Sequence, residues 1–189
     1  MTTLQIEVPD FLVKAAGEMV FIVERAARMH YVIDLAKKNV EFQGGPFAAA
    51  VFEMATGRLV AAGANRVVSG HCSSAHAEIL ALSLAQQRLA HFDLGAAPCG
   101  PYELVSSAEP CAMCFGAVLW SGVRSLVYAA HTEDVVAIGF DEGPKHPEWQ
   151  SLMAARGIAV FGGVLREEAT TFLQSYAESG GLIYNACRK

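Results

Sequence analysis

Tyr102 to Ala130 reads YELVSSAEPCAMCFGAVLWSGVRSLVYAA, and its parsing decides the fold. Tyr102–Ser107 and Ser125–Ala130 are short strand-like runs, and Cys111–Ser121 between them has helical length and character. Strand, helix, strand in that order is a crossover unit, which makes the two strands parallel members of one sheet. Upstream, Phe47–Glu53 and Leu59–Asn65 are apolar runs joined by a hairpin-length turn, Met54–Arg58, that contains Gly57. They predict an antiparallel pair. A helix from Ala75 to about His91 separates this pair from Tyr102. Downstream, a helix from about Pro147 to Arg156, a strand at Ile158–Phe161 and a helix from Arg166 to about Ser179 continue the alternation. From about Phe11 to Asn39 the apolar spacing, with Lys37 and Lys38 near its end, predicts one long helix or two in tandem, stopped by Gly44-Gly45-Pro46. The expected object is a three-layer α/β/α domain spanning residues 1–189, with a mixed sheet of about five strands and helices on both faces. A helical extension covers about residues 1–43, and an apolar tail follows Gly180-Gly181. That tail, with Leu182, Ile183 and Tyr184, must pack on its own subunit or on a neighbour. The Cys111 helix is apolar almost all round, which predicts burial against the sheet.

Composition excludes several classes. Of 189 residues 53% are hydrophobic and 17% charged, so the chain can bury a large core and is not disordered. The scarcity of surface charge predicts a further covered face, hence at least a homodimer. Fourteen Lys+Arg against nineteen Asp+Glu give a net charge of −5, which disfavours a long nucleic acid as partner. The opening MTTLQIEVPD has no leader-like pattern and no apolar run approaches a membrane span, so a soluble cytoplasmic protein is expected. Five cysteines (Cys72, Cys99, Cys111, Cys114 and Cys187) form an odd set that fits a reducing compartment and free thiolates.

The chemistry concentrates in two short motifs. His76-Ala77-Glu78 stands at one expected helix start, and Pro110-Cys111-Ala112-Met113-Cys114 stands at another, Cys111 lying 35 residues after His76. Cysteines three apart on a first helical turn share a face and can grip one ion. Pro110 suits the place because its missing N–H would have no partner there. The helix start also lowers thiol pKa. One imidazole and two thiolates are three ligands of the kind zinc prefers, which leaves a fourth position for water, as in catalytic sites. Glu78 would face that water as proton acceptor, which is hydrolytic chemistry. H-x-E followed by P-C-x-x-C is the signature of zinc deaminases.

On these motifs, and on their order of hairpin, H-A-E helix, strand and P-C-x-x-C helix, the chain from about Ala15 to Arg156 resembles the cytidine and deoxycytidylate deaminase superfamily. Within it the chain is most similar to bacterial guanine deaminases, through Gly45-Pro46-Phe47, Gly63-Ala64-Asn65, Glu109–Cys114 with Gly116-Ala117 and Trp120, and Ala137–Glu142. The resemblance implies a cytidine deaminase-like fold, one zinc ion per subunit with a water as fourth ligand, and conversion of guanine to xanthine and ammonia. It implies His76, Cys111 and Cys114 as ligands, Glu78 as proton carrier, and Glu142 as a second carboxylate at the guanine amine. Asn65 would hydrogen-bond the purine, and Phe47 and His76 would lie against it. Asp141 and Trp120 complete the expected substrate contacts. Ala112 replaces a proline common in the motif, and Glu142 stands where aspartate is frequent.

Other readings accompany these. Asn65 can be a turn residue, Phe47 core, Asp141 and Glu142 a solvated loop or cap, and Trp120 core or pocket wall. His71, Cys72 or Cys99 could close a purely structural zinc site. His30, His71, His91, His131 and His146 lack ligand spacing, and Cys72, Cys99 and Cys187 read as buried or free thiols. The rival functions are another deaminase, acting on tRNA adenosine, a cytosine derivative or an aminotriazine, and a non-catalytic zinc-stabilised interaction module. A tRNA enzyme would need a basic stripe, yet the last helix carries Glu167, Glu168 and Glu178. A nucleotide enzyme would need phosphate-binding cations around the hairpin, where, apart from Arg58 in its turn, only Arg66 is present.

Overall fold

A computed structural model describes residues 6–17 and 19–185. The elements are α1 (Asp10–Gly17), α2 (Arg25–Glu41), β1 (Ala48–Glu53), β2 (Leu59–Ala64), α3 (Ala77–Leu89), β3 (Tyr102–Ala108), α4 (Ala112–Ser121), β4 (Ser125–Ala130), α5 (Thr132–Ala137), α6 (Trp149–Ala155), β5 (Ala159–Phe161) and α7 (Arg166–Glu178). Five strands form one sheet in the order β2-β1-β3-β4-β5. The hairpin is antiparallel, with Ala49 opposite Gly63. β1 joins β3 antiparallel, while β3–β4 and β4–β5 are parallel, as a sheet fed by crossovers requires.

Strand side chains alternate between two cores. Ala48, Ala50 and Phe52 of β1 pack with Met29, Val32 and Ile33 of α2 and Leu173 of α7, whereas Ala49 and Val51 pack with Ala77, Ala81 and Ala85 of α3 and Met153 of α6. The sheet is thus a buried middle layer, which explains why its central strands read as apolar runs rather than alternating ones. Gly63 sets the spacing of α3: a Cβ there would stand 2.4 Å from the Ala77 carbonyl oxygen and the Ala81 nitrogen. The absence of a side chain lets the helix carrying His76 at its cap lie directly on β2.

The N-terminal segment resolves into two helices, because Val20 and Ile22 run beside the hairpin turn, the Val20 carbonyl accepting from Leu59 N–H and Ile22 N–H donating to Gly57 O. α5 is an element that sequence reasoning missed. Its signal was local: Asp134 accepts from His131 N–H at its start, and Glu133 and Asp134 occupy its first turn. α4 departs from its expected burial. Cys114, Val118 and Ser121 are buried, but Met113 and Trp120 are exposed. The Arg156 guanidinium, at the end of α6, stands 5.6 Å over the Trp120 ring. No helix among them is long and apolar enough to cross a membrane. Cys187 and the last part of the tail lie outside the described residues.

Candidate active site

Two helix starts converge at the base of a cavity of about 510 Å³. His76 is the N-cap of α3 and Cys111 that of α4; neither side chain caps its own helix, so both are free to point into the cavity. Cys114 follows one turn into α4. Cys111 Sγ and Cys114 Sγ each lie 3.6 Å from His76 Nδ1. Bonds of ~2.3 Å to sulfur and ~2.0 Å to nitrogen at tetrahedral angles place such donors ~3.5 Å apart. The donor set therefore fits zinc in chemistry and in spacing.

Among the protein groups alone, the thiols behave as a coupled pair. Cys111 is lowered to about 4, first by its hydrogen bond with Cys114 and then by His76. The Cys114 thiol is pushed up by the same contact, by burial and by Glu78, because a second thiolate beside Cys111 meets like charge. A cation removes that conflict. The expected alternative ligands are elsewhere: Cys72 and Cys99 are free thiols outside the cluster. A second group that could hold a metal, His30, Asp34 and Glu168, is at the surface, where Lys37 Nζ already bridges Asp34 and Glu168 at 3.0 and 2.9 Å.

Glu78 stands beside the donors. Its Oε2 lies 3.3 Å from Cys114 Sγ, and its Oε1 accepts a hydrogen bond from Ser106 Oγ of β3 at 3.3 Å. The side chain is nearly sealed, the residue being 7% exposed. Burial, then the Cys111 charge, raises its pKa. Glu142 also lines the cavity, on the loop after α5, and burial followed by the charges of Cys111 and Glu78 pushes its carboxyl up to about 8. Two carboxyls displaced upward beside one donor cluster are the groups placed to exchange protons there.

The remaining wall is aromatic and amide. Asn65 follows β2, is 1% exposed, and is held by its backbone: Asn65 N–H donates to Phe47 O at 2.9 Å, while Asn39 Nδ2 donates to the carbonyls of both Gly45 and Asn65 at 2.9 Å. Phe47 meets Phe140 edge-on at 5.0 Å, and Phe140 meets Tyr184 at 5.3 Å. Tyr184 comes from the tail of the same chain and accepts a hydrogen bond from Asn65 Nδ2. Asn185 holds that tail segment in place, accepting from Asp141 N–H at 2.8 Å and donating to Gly139 O at 2.9 Å.

The structure thus brings together His76, Cys111, Cys114, Glu78, Glu142, Asn65, Phe47 and Asp141. Asp141 accepts from Gly143 N–H at 2.9 Å, so its side chain shapes the loop while Glu142 beside it is the more deeply placed of the two. Trp120 is not brought to the cavity. It is 77% exposed on the outer side of α4, because its position falls opposite the buried Cys114 face. Residues that sequence reasoning missed are Phe140, Ser106, Asn185 and Glu109. Of these, Glu109 and Phe140 lie within the stretches that carry the family resemblance, Glu109–Cys114 and Ala137–Glu142.

Residues 23–130 match the family described as the cytidine and deoxycytidylate deaminase zinc-binding region. A guanine deaminase of Bacillus subtilis is 33% identical over 129 residues, covering 68% of this chain and 78% of that protein. A solved structure of NE0047 in complex with 2,6-diaminopurine is 56% identical, with a TM-score of 0.93 and coverage of 97% of both chains. A solved guanine deaminase from Nitrosomonas europaea is also 56% identical, with a TM-score of 0.91 over 93% of this chain and 97% of that one.

Proposed function

Since the chain belongs to the cytidine and deoxycytidylate deaminase family, we propose that it hydrolyses the 2-amino group of guanine, giving xanthine and ammonia, as the names of its relatives suggest. The observation that carries this reading is the meeting of two carboxyls, Glu78 and Glu142, with the His76, Cys111 and Cys114 donors in one aromatic-walled cavity. No lysine or arginine lines that cavity among the described residues, which suits a free base better than a nucleotide.

His76, Cys111 and Cys114 would hold one zinc ion per subunit with a water as fourth ligand, and zinc supplies the Lewis acidity that makes water a nucleophile at neutral pH. Glu78 takes one proton from the attacking water and delivers it to the ring nitrogen next to the reacting carbon. Ser106 fixes the carboxyl during this exchange. Glu142 contacts the exocyclic amine and passes to it the second proton, so that the C–N bond breaks with ammonia as leaving group. The balance is complete: water oxygen goes to the purine carbon, one proton to the ring nitrogen and one to ammonia. Asn65 hydrogen-bonds the purine edge, Phe47 packs on its ring, and His76 lies along its face. Asp141 shapes the loop that presents Glu142.

The chain acts as one cytoplasmic domain and as a homodimer. Support for the dimer is the exposed outer side of α4, where Met113 and Trp120 give an apolar surface that a second copy would cover. Sedimentation at increasing concentration tests this point. For the activity, ammonia release is measured from guanine, adenine, cytosine, their nucleosides and aminotriazines with protein of known zinc content. Turnover of guanine is expected; turnover of cytidine or adenosine with none of guanine would overturn the assignment.

A further inference from the structure

Glu109 and Lys145 form a buried ion pair with no part in the chemistry above. Glu109 immediately precedes Pro110-Cys111, is 7% exposed, and lines the cavity. Lys145 lies three residues after Glu142 on the loop between α5 and α6. Its ammonium donates to the Glu109 carboxylate, to Pro110 O at 2.9 Å and to Thr132 Oγ1 at 3.0 Å, and it stands 4.7 Å over the Trp149 ring. Thr132 Oγ1 in turn donates to Glu109 at 2.8 Å. The same two segments are joined a second time by the backbone, Ala112 N–H donating to Glu142 O at 3.0 Å. The loop carrying Glu142 is therefore pinned to the start of α4 at two points, residue 142 itself and residue 145.

Burying an ion pair is a poor way to gain stability, since desolvation consumes most of the attraction. The pair's location gives it another use: one partner is next to a donor cysteine and the other next to the second carboxyl. We propose that Glu109 and Lys145 are positioning residues that hold Glu142 at its working distance from the His76, Cys111 and Cys114 cluster. The inference rests on the reading of Glu142 as the second proton carrier.

The test is a double-mutant cycle on the zinc-loaded full chain with guanine as substrate. Lys145→Met is expected to keep its zinc and to lower kcat by about tenfold or more with KM within about threefold, as displacement of a reacting group does. Lys145→Arg should recover most of the loss. In a Glu142→Ala background, Lys145→Met should slow turnover by less than about twofold, because both changes remove one function. Glu109→Gln combined with Lys145→Met leaves no lone buried charge and should reproduce the kcat loss in a folded protein. Loss of zinc, an unchanged kcat, or full additivity with a slow Glu142→Ala enzyme would overturn the inference alone. A Glu142→Ala enzyme as fast as the parent would overturn the role of Glu142, and the inference with it.

Discussion

The side-chain amide of Asn65 donates a hydrogen bond to the hydroxyl oxygen of Tyr184, joining the end of β2 to the tail in the wall of the cavity. Asn65 Oδ1 meanwhile accepts from Val67 N–H at 3.3 Å, so the rotamer is fixed from both ends of the amide. A fixed amide is what reading a purine edge requires.

Gly45→Ala should disturb that amide specifically. A Cβ at Gly45 would stand 2.7 Å from Asn65 Oδ1, and the side chain must move. We expect KM for guanine to rise by about tenfold with zinc content and fold intact, on the order of one lost hydrogen bond. Steady-state kinetics with circular dichroism as control checks this.

Glu78→Gln keeps the shape and removes the proton acceptor. Zinc content should be unchanged and kcat should fall by roughly 1,000-fold, within the usual range for a general acid–base group. An isosteric variant that retained near-parental turnover would remove Glu78 from the mechanism.

Prolonged chelation should abolish turnover and lower the thermal midpoint, because ligand binding to the folded state is folding free energy. Zinc should restore both. Cys114→Ser should bind zinc more weakly than the parent, whereas Cys72→Ser and Cys99→Ser, outside the cluster, should match it.

Arg28→Met is expected to destabilise the chain by roughly 3 kcal/mol, since it leaves the buried Glu103 carboxylate with only the more distant and half-exposed Arg25, 3.9 Å away, as a cation. Arg28 NH1 donates to Glu103 Oε1 at 2.9 Å, and both residues are buried at the end of the sheet opposite the cavity. Denaturant unfolding gives the value; guanine kinetics should not change.

The pairing of Asp134 with Arg166 makes stability depend on acid. The hydrogen bond from Arg166 holds the Asp134 carboxyl below its ordinary value. A depressed folded-state pKa contributes stability above the unfolded pKa of ~3.9, and that contribution disappears as pH falls through the folded value. Arg166→Met should therefore lower the denaturation midpoint at pH 7 and have a shrinking effect below pH ~4, the partial exposure of the pair keeping the effect small.

Much of this architecture was legible because it rests on local signals. Ser125–Ala130 was bounded as observed, and the H-A-E and P-C-x-x-C motifs were placed at helix starts, because caps and periodicity are properties of neighbouring residues. What escaped depends on distant packing. Nothing near Phe140 indicates that it will stand between Phe47 and Tyr184, and the tail could have gone to another subunit as readily as to its own. Lys145 reads as an ordinary surface lysine until the fold sets it against Glu109. Trp120 illustrates the opposite error: hydrophobicity suggested interior or pocket, while the helical phase set by Cys114 and Val118 turned it outward.

His76 and Glu78 share one helix start, and each added helical residue turns the chain by about 100°. An insertion or deletion between them would swing the carboxyl to another side, so that interval has no tolerance for a change in length. The connection from α3 to β3, by contrast, carries no residue of the cavity; Leu94 and Ala97 anchor it in the core, and it is exposed on either side of them, at Phe92 and at Cys99. Evolution or an engineer can lengthen or graft there while the two halves of the centre stay in register.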